Sequence, residues 1–136
     1  MRKEIYDPKD PQFRTADGGS FFQTFGYNAA VRAGDFIYVS GQVGMSPDGS
    51  IPADAETQIV NAFERLKAVL AAADADMGDV VELVTYHVGL QAHRAAFFDL
   101  KGKYIVEPFP AWTMVEVAGL ARPDFLIEIK AVAYKP

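Results

Sequence analysis

Two strand-forming runs close the chain and constrain its fold most, at residues 110–120 and residues 125–134. Both are rich in the β-branched, aromatic and other apolar residues that strands favour. The second run is apolar at most positions but carries Glu128 and Lys130. An ionised carboxylate among apolar side chains is costly unless it is paired or hydrogen-bonded. Glu128 therefore predicts either a structural ion pair, with Lys130 as a counterpart, or a carboxylate adjusted for proton transfer.

The strongest helical pattern lies in residues 54–74, where apolar residues recur with the three-four spacing of an amphipathic helix. Asp54 is placed to cap its first turn. A second helix is predicted over residues 91–105, because Phe97, Leu100 and Tyr104 share one side, and the prolines at residues 108 and 110 end it. Residues 27–43 hold two β-rich runs around a Gly-Asp turn, which predicts a hairpin.

Residues 80–88 form a strand pattern that is apolar at both parities, and such a strand is covered on both faces. The helices can cover one face, but a chain of this size has little else to cover the other. We therefore expect an oligomer. Hairpin, helix, strand, helix and two strands in succession predict an α+β domain.

The 136 residues fit a single domain, residues 1–136, in which residues 1–20 form a turn-rich surface arm anchored by Tyr6 and Phe13. Residues 21–27 are dense in aromatics, and we expect them to be partly extended. The absence of cysteine excludes disulfides, thiol catalysis and cysteine-ligated zinc.

The charge and the hydropathy pattern limit the classes of partner that the protein is expected to bind. The net charge is −5 and the 13 basic residues are scattered, whereas polyanion binding needs clustered Lys and Arg. This argues against nucleic acid as a partner. The first residues lack the apolar core of a signal peptide, and no run approaches the length of a membrane span. We expect a cytoplasmic protein with no membrane partner.

Common catalytic and cofactor motifs do not fit. Residues 41–44 are glycine-rich but match neither the dinucleotide nor the phosphate-loop pattern. Ser40 lacks the context of a nucleophile elbow. His87 and His93 have no carboxylate at ligand spacing, so no metal or cofactor is predicted. We expect His93 to be solvated at a helix start, and His87 to be a hydrogen-bonded strand histidine that could line a pocket.

Trp112 is the single tryptophan and opens the run at residues 110–120. Two interpretations remain open. It is either a core or interface aromatic, as most tryptophans are, or a stacking wall for a planar or cationic ligand.

These motifs resemble a known family. Residues 110–120 read PAWTMVEVAGL, residues 127–129 read IEI, and residues 36–43 read FIYVSGQV. Together they are similar to the RidA family, also called the YjgF or endoribonuclease L-PSP family. The similarity extends over about residues 20–134 and follows the family's order of elements.

The resemblance implies a chorismate-mutase-like α+β domain, with a mixed sheet, two helices on one face and a trimeric barrel. It further implies clefts between subunits. The family's deaminating members hydrolyse enamine or imine intermediates such as 2-aminoacrylate to a keto acid and ammonia. An arginine in the cleft holds the ligand carboxylate, and a glutamate in the last strand positions a water.

Carried over by position, the resemblance matches the glutamate to Glu128 and the cleft aromatic to Tyr27. The Ser-Gly-Gln matches Ser40, Gly41 and Gln42, and we add Met114 and His87 as ligand-contacting residues. Trp112 stands at the arginine position. Tryptophan has no charge and one N–H, whereas arginine binds a carboxylate through a rigid fork of donors.

The sequence therefore predicts a RidA-like homotrimer that binds a small metabolite in an intersubunit cleft, with Glu128 handling water or a proton. The expected reaction is hydrolysis of an imine, enamine or amide-like bond, with 2-aminoacrylate disfavoured by Trp112 unless Arg122 or Arg32 replaces the arginine. A non-catalytic ligand sensor or interaction module is the alternative. Ribonuclease activity is the least favoured, because three subunits at about −5 each would repel phosphate.

Overall fold

The computed structural model describes residues 3–136, so Met1 and Arg2 of the predicted arm lie outside the described residues. Six strands and three helices occur within this range, together with two short 3₁₀ turns. In chain order they are β1 (Glu4–Tyr6), α1 (Phe21–Phe25), β2 (Ala30–Ala33), β3 (Phe36–Val43), α2 (Ala55–Ala72), β4 (Val80–His87), α3 (Leu90–Tyr104), β5 (Ala111–Glu116) and β6 (Ile127–Tyr134), with the turns at Pro11–Phe13 and Met77–Asp79.

The strands form one mixed sheet in the order β1-β2-β3-β6-β4-β5. β4 and β5 run parallel, and the other neighbouring pairs are antiparallel. The last strand of the chain thus lies in the middle of the sheet, and β5 forms an edge. Helices α2 and α3 pack against each other on one face of the sheet. The predicted α+β fold is confirmed.

The core lies between this sheet face and α2. Alternate residues of β6, from Ile127 to Ala133, point toward the helices and are buried. They meet the apolar side of α2, where Ile59, Phe63 and Leu66 are fully buried. Each such side chain contributes about 1.5–3 kcal/mol of burial free energy. The predicted N-cap is confirmed, because the Asp54 carboxylate accepts a hydrogen bond from the Thr57 backbone N–H at 2.8 Å.

The other face of the sheet carries large apolar side chains that no helix covers. Phe36 and Tyr38 of β3 and Tyr134 of β6 are all exposed within the single chain, and the rings of Phe36 and Tyr134 pack together with centroids 5.3 Å apart. We call this surface the open face. Exposed apolar patches of this kind mark interaction surfaces.

Two expectations about the N-terminal region need correction. Residues 21–27 are not extended, since Phe21–Phe25 form α1. Ser20 caps its start and Gly26, at φ +76°, ends it in the left-handed region. The arm also contains β1, which pairs with β2. The predicted anchor Phe13 is fully buried.

No helix within residues 3–136 combines the length and apolar character that a membrane crossing requires.

Candidate functional site

A cavity of about 790 Å³ lies between α1, the second half of β3 and the segment that precedes β6. Its walls are largely aromatic and aliphatic. Its charged groups are Arg65, Arg122, Lys130 and Glu128. With all four ionised the lining carries three positive charges and one negative charge, so the cavity is basic in a chain whose net charge is −5.

An irregularity in β3 shapes the floor of this cavity. Val39 pairs with Ala131 and Gln42 pairs with Ile129, so Ser40 and Gly41 oppose a single residue of β6. This is a β-bulge, which bends a strand and re-aims its side chains. The Ser40 hydroxyl donates to the Asn28 carbonyl oxygen at 2.6 Å, and the Ser40 N–H donates to the Ala29 carbonyl oxygen at 2.9 Å.

Gly41 has no side chain, and this allows the Glu128 carboxyl group to pack against the β-bulge. A Cβ atom at residue 41 would lie only 2.6 Å from Cδ and 2.8 Å from Cγ of Glu128. Real side chains do not approach so closely, so any larger residue would displace the glutamate. The glycine is therefore needed for close packing of a side chain, which is one of the established uses of glycine within strands.

Glu128 is half-buried on β6 and forms no salt bridge with any of residues 3–136, Lys130 included. Loss of hydration raises the pKa of this carboxyl above its usual value. Of the two sequence interpretations, the structural ion pair is not formed within the described chain. A carboxyl group with a raised pKa in a cleft has the properties required for proton transfer.

Tyr27 and Gln42 complete this side of the cavity. Burial raises the pKa of the Tyr27 hydroxyl, while the Arg65 guanidinium lowers it and the Glu128 carboxylate raises it further. Tyr27 is therefore within electrostatic reach of both charges. Gln42 is buried, and its amide nitrogen donates to the Ser40 carbonyl oxygen at 3.0 Å. The structure thus brings together five of the predicted site residues: Tyr27, Ser40, Gly41, Gln42 and Glu128.

Trp112 and Met114 lie on the opposite side of the sheet, half-buried against the helix-side core. The Trp112 Nε1 donates to Thr85 Oγ1 at 3.1 Å. Its ring lies 5.4 Å from the Phe98 ring, and Lys101 Nζ sits 4.3 Å from its centroid. Within one chain, Trp112 is therefore separate from Glu128 and already engaged with α3.

His87 belongs to the same helix-side cluster. It is fully buried, its Nδ1 lies 3.0 Å from His93 Nε2, and its Nε2 lies 2.9 Å from Thr85 Oγ1. The expectation of a solvated His93 is wrong, because α3 starts at Leu90 and turns residue 93 toward the sheet, where it is 6% exposed. Burial, reinforced by His93, lowers the pKa of His87 to about 4.

Three arginines bear on the anion-binding capacity of the cavity. Arg32 lies outside its lining and donates to the Tyr6 hydroxyl oxygen at 3.0 Å and the Lys135 carbonyl oxygen at 2.7 Å. Arg122 lines it, and Arg65, which sequence reasoning missed, does too. The helical spacing could have identified Arg65, because residue 65 lies three positions after Ala62 and four before Val69, on the buried side of α2.

Among residues 3–136, no group of His, Asp or Glu could hold a metal ion.

A sequence model of the family described as Endoribonuclease L-PSP matches residues 21–135. The chain belongs to the RidA family. It is 36% identical over 118 residues to the RutC family protein YjgH of Escherichia coli K12, covering 86% of this chain and 88% of that protein. It is 34% identical over 116 residues to the 2-iminobutanoate/2-iminopropanoate deaminase of the same organism, covering 80% and 87%.

Solved structures of RidA-family proteins superimpose on the whole fold. A structure of a protein YJGH has a TM-score of 0.86 and 31% identity, covering 100% of this chain and 98% of that chain. A structure of Escherichia coli TdcF with bound serine has a TM-score of 0.81 and 25% identity, covering 98% and 99%. The similarity therefore includes β1, which the sequence resemblance did not reach.

Proposed function

We propose that this RidA-family chain forms a homotrimer in which each cavity, completed by a neighbouring subunit, binds a small metabolite and hydrolyses an imine, enamine or amide-like bond. The observation that carries the proposal is Glu128. Its carboxyl group lines the cavity, has no salt bridge within residues 3–136 and has a raised pKa. The deaminase name of one relative supports the reaction class.

The chemistry assigned to Glu128 is hydrolysis of a carbon–nitrogen double bond. The carboxylate accepts a proton from water as the water oxygen bonds to the carbon. The protonated carboxyl group then delivers this proton to the nitrogen, which gives a carbinolamine. The carboxylate next takes the proton of the carbinolamine hydroxyl and transfers it to the nitrogen as the carbon–nitrogen bond breaks and the carbonyl forms, so one imine and one water give one carbonyl compound and one ammonia. A carboxyl group whose pKa is raised toward neutrality is better matched to both steps than an ordinary glutamate.

The open face supports the trimer. Phe36, Tyr38 and Tyr134 expose large apolar surfaces on it within a single chain. In a barrel of three sheets these side chains would be buried against neighbouring copies. Such an assembly would also bring another subunit to the cavity, whose lining includes Tyr38 and Lys130 of the same sheet. Trp112 and Met114, on edge strand β5, would reach a ligand only from such a neighbour.

The identity of residue 112 affects which substrates we expect the protein to hydrolyse. It provides no positive charge at the position that the resemblance assigns to the carboxylate-binding arginine. We expect 2-aminoacrylate to release ammonia more slowly with this protein than with the E. coli deaminase, by about 10-fold or more, because a charge-assisted hydrogen bond of about 1.5–3 kcal/mol is lost.

Ammonia release tests the proposal. Imino acids generated in solution by an amino-acid oxidase, together with neutral imines and enamines, form the substrate panel. Glu128→Gln should lower release from the best substrate by about 10²–10⁴-fold. Glu56→Gln, on the exposed first turn of α2, is the matched control and should leave it unchanged. If no substrate is turned over while thermal shift finds a ligand recovered unchanged, the site is a sensor and the hydrolase proposal fails.

A further inference from the structure

A chain of hydrogen-bonded polar side chains crosses the helix-side core from β5 to the start of α3. Trp112 Nε1 lies 3.1 Å from Thr85 Oγ1, and Thr85 Oγ1 lies 2.9 Å from His87 Nε2. His87 Nδ1 in turn lies 3.0 Å from His93 Nε2. Thr85 and His87 are fully buried and His93 is 6% exposed. Buried polar groups have to satisfy one another, so the direction of each hydrogen bond depends on its neighbours.

The donors and acceptors of this chain fit one direction. The indole N–H can only donate, so Thr85 Oγ1 accepts from Trp112. Among residues 3–136, the other hydrogen-bond partner of the Thr85 hydroxyl is His87 Nε2, and we assign the hydroxyl proton to that bond. His87 then carries its own proton on Nδ1 and donates it to His93 Nε2. The opposite direction would leave the buried Thr85 proton without an acceptor.

The far end of the chain is in contact with solvent. His93 Nδ1 has no hydrogen-bond partner among residues 3–136, and it is not one of the buried atoms that lack a partner. It therefore keeps some accessible surface. His93 lies in the first turn of α3, which begins at Leu90. The chain thus connects solvent at the start of α3 to Trp112 on edge strand β5.

A proton added to the histidine pair removes one hydrogen bond wherever it is placed. If His93 takes the proton, its Nε2 becomes a donor, and His87 has to accept on Nδ1 and carry its own proton on Nε2. If His87 takes the proton, both of its nitrogens carry one. In either case His87 Nε2 donates to Thr85 Oγ1, and the Thr85 hydroxyl proton loses its acceptor. Thr85 is fully buried, so water cannot replace that acceptor.

We propose that Thr85, His87 and His93 form a pH-sensitive clamp on Trp112, in which proton uptake by the histidine pair releases the indole N–H from Thr85 and lets the ring reorient. Thr85 is the positioning residue of this clamp. The ring has room to move, because Trp112 is half-buried on an edge strand beside Phe98, which is 43% exposed. The clamp does not depend on the proposed hydrolysis. Where a neighbouring subunit brings Trp112 to a ligand, it makes that contact depend on pH.

The surroundings of the pair leave its protonation to the solvent. The pKa of His87 is lowered by burial first and by His93 second, and the pKa of His93 is lowered by burial. The pair is therefore neutral near pH 7 and takes up a proton in the acid range. The charged groups on the elements packed around it are Glu116 on β5, Arg94 and Lys101 on α3 and Glu64 on α2, whereas β6 places Ile127 and Ile129 opposite His87 and Thr85.

These charged groups have other contacts. The Glu116 carboxylate accepts a hydrogen bond from the Leu90 N–H at 3.0 Å. Lys101 Nζ lies over the Trp112 ring, and the Arg94 guanidinium lies over the Phe98 ring. Glu116 is the carboxylate on the strand beside His87, so its effect on Trp112 has to be separated from that of the histidines by a variant.

Nuclear magnetic resonance of the indole N–H tests the clamp, because the chain has a single tryptophan and the signal is unambiguous. In wild type this proton signal should move to lower frequency between pH 7 and pH 5, with an apparent pKa below the ordinary 6.5 of histidine. At pH 7, Thr85→Val should exchange its indole proton with water about 2- to 10-fold faster than wild type, which corresponds to the net loss of one hydrogen bond. Thr85→Ser keeps the hydroxyl and should restore slow exchange.

Two variants and a control identify the source of the pH response. His93→Gln and His87→Gln should each lose most of the movement between pH 7 and pH 5, because neither holds the titrating pair. Glu116→Gln is the matched control, since it removes the nearby charge but keeps an acceptor for the Leu90 N–H, and it should titrate like wild type. Dispersed backbone amide signals at both pH values verify that each protein remains folded.

The inference is overturned if the wild-type indole signal stays in place between pH 7 and pH 5, or if it moves equally in His93→Gln. A response that disappears in Glu116→Gln and persists in the histidine variants overturns it as well. If Thr85→Val does not fold, Thr85→Ser and the histidine variants still decide the question. Ammonia release plays no part in these outcomes, so the clamp and the proposed hydrolase can fail separately.

Discussion

The buried pair of His87 and His93 should make the protein lose stability as pH falls from 7 to 5. The pKa of His87 is lowered from its ordinary 6.5 to about 4 by burial and by His93, and the pKa of His93 is also lowered by burial. Below pH 6.5 the unfolded chain therefore binds more protons than the folded chain. The stabilisation is fully present above pH 6.5 and is lost as pH falls toward 4.

The magnitude follows from the His87 shift alone. A difference of about 2.5 between the two pKa values corresponds to about 3 kcal/mol when the whole range is crossed. Between pH 7 and pH 5 the unfolded form gains close to one proton that the folded form does not. Integrating over that interval gives a loss of about 2 kcal/mol. His93 adds to the loss in the same direction.

Urea unfolding at fixed protein concentration measures the effect, since concentration shifts the stability of any oligomer. Wild type and His87→Gln are compared at pH 7 and pH 5. The glutamine does not titrate, so the stability difference between the two pH values should be about 2 kcal/mol smaller in the variant. Equal pH dependence in both proteins would refute the assignment of a buried neutral imidazole at residue 87.

Three other substitutions give measurable outcomes. Gly41→Ala should displace Glu128, abolish most ammonia release and lower the free energy of unfolding by about 1–3 kcal/mol. Gly102→Ala on α3 is the control, because a Cβ atom at residue 102 has no neighbour within 4 Å. This control should raise the free energy of unfolding by about 0.5–1 kcal/mol. Trp112→Arg should speed ammonia release from 2-aminoacrylate if it still forms a trimer, and no gain in a folded trimer would mean that position 112 is not what limits this substrate. Tyr38→Lys on the open face should dissociate the proposed trimer, and an unchanged sedimentation mass would argue against that interface.

The elements that sequence predicted well are those whose burial is one-sided. α2 combines a capping aspartate with a recurring apolar face, which Gln58 and Arg65 interrupt, and β6 alternates buried and less buried residues along its length. These patterns depend on the local period alone. α1 and β1 were missed for the opposite reason. A five-residue helix has too few turns to show a period, and β1 is a mostly exposed three-residue strand recognisable only through its pairing with β2.

Only part of the site was predictable, because strand register decides which side chains share the cavity. Ser40, Gly41 and Glu128 meet because β3 pairs with β6 across a bulge; the family resemblance assigned these residues to one cleft but did not predict the bulge. Trp112 is separated from Glu128 because it aligns with Leu83 of β4, whereas Glu128 aligns with Tyr86. In these registers the side chains of Trp112 and Glu128 project from opposite faces of the sheet. The register of a strand pair cannot be deduced from the sequence of either strand alone. Arg65 was missed because a charge within an apolar pattern is usually taken for a solvated position.

The pH profile of ammonia release tests the assignment of Glu128 most directly. For the best substrate, kcat/KM should fall on the acid side with an apparent pKa above the usual 4.5 of glutamate, because burial raises the pKa of Glu128. Glu128→Gln should retain the fold and the oligomeric state of the wild type, lose most of the rate and lose this acid limb. A variant that releases ammonia at the wild-type rate, with the same acid limb, would contradict the role given to Glu128.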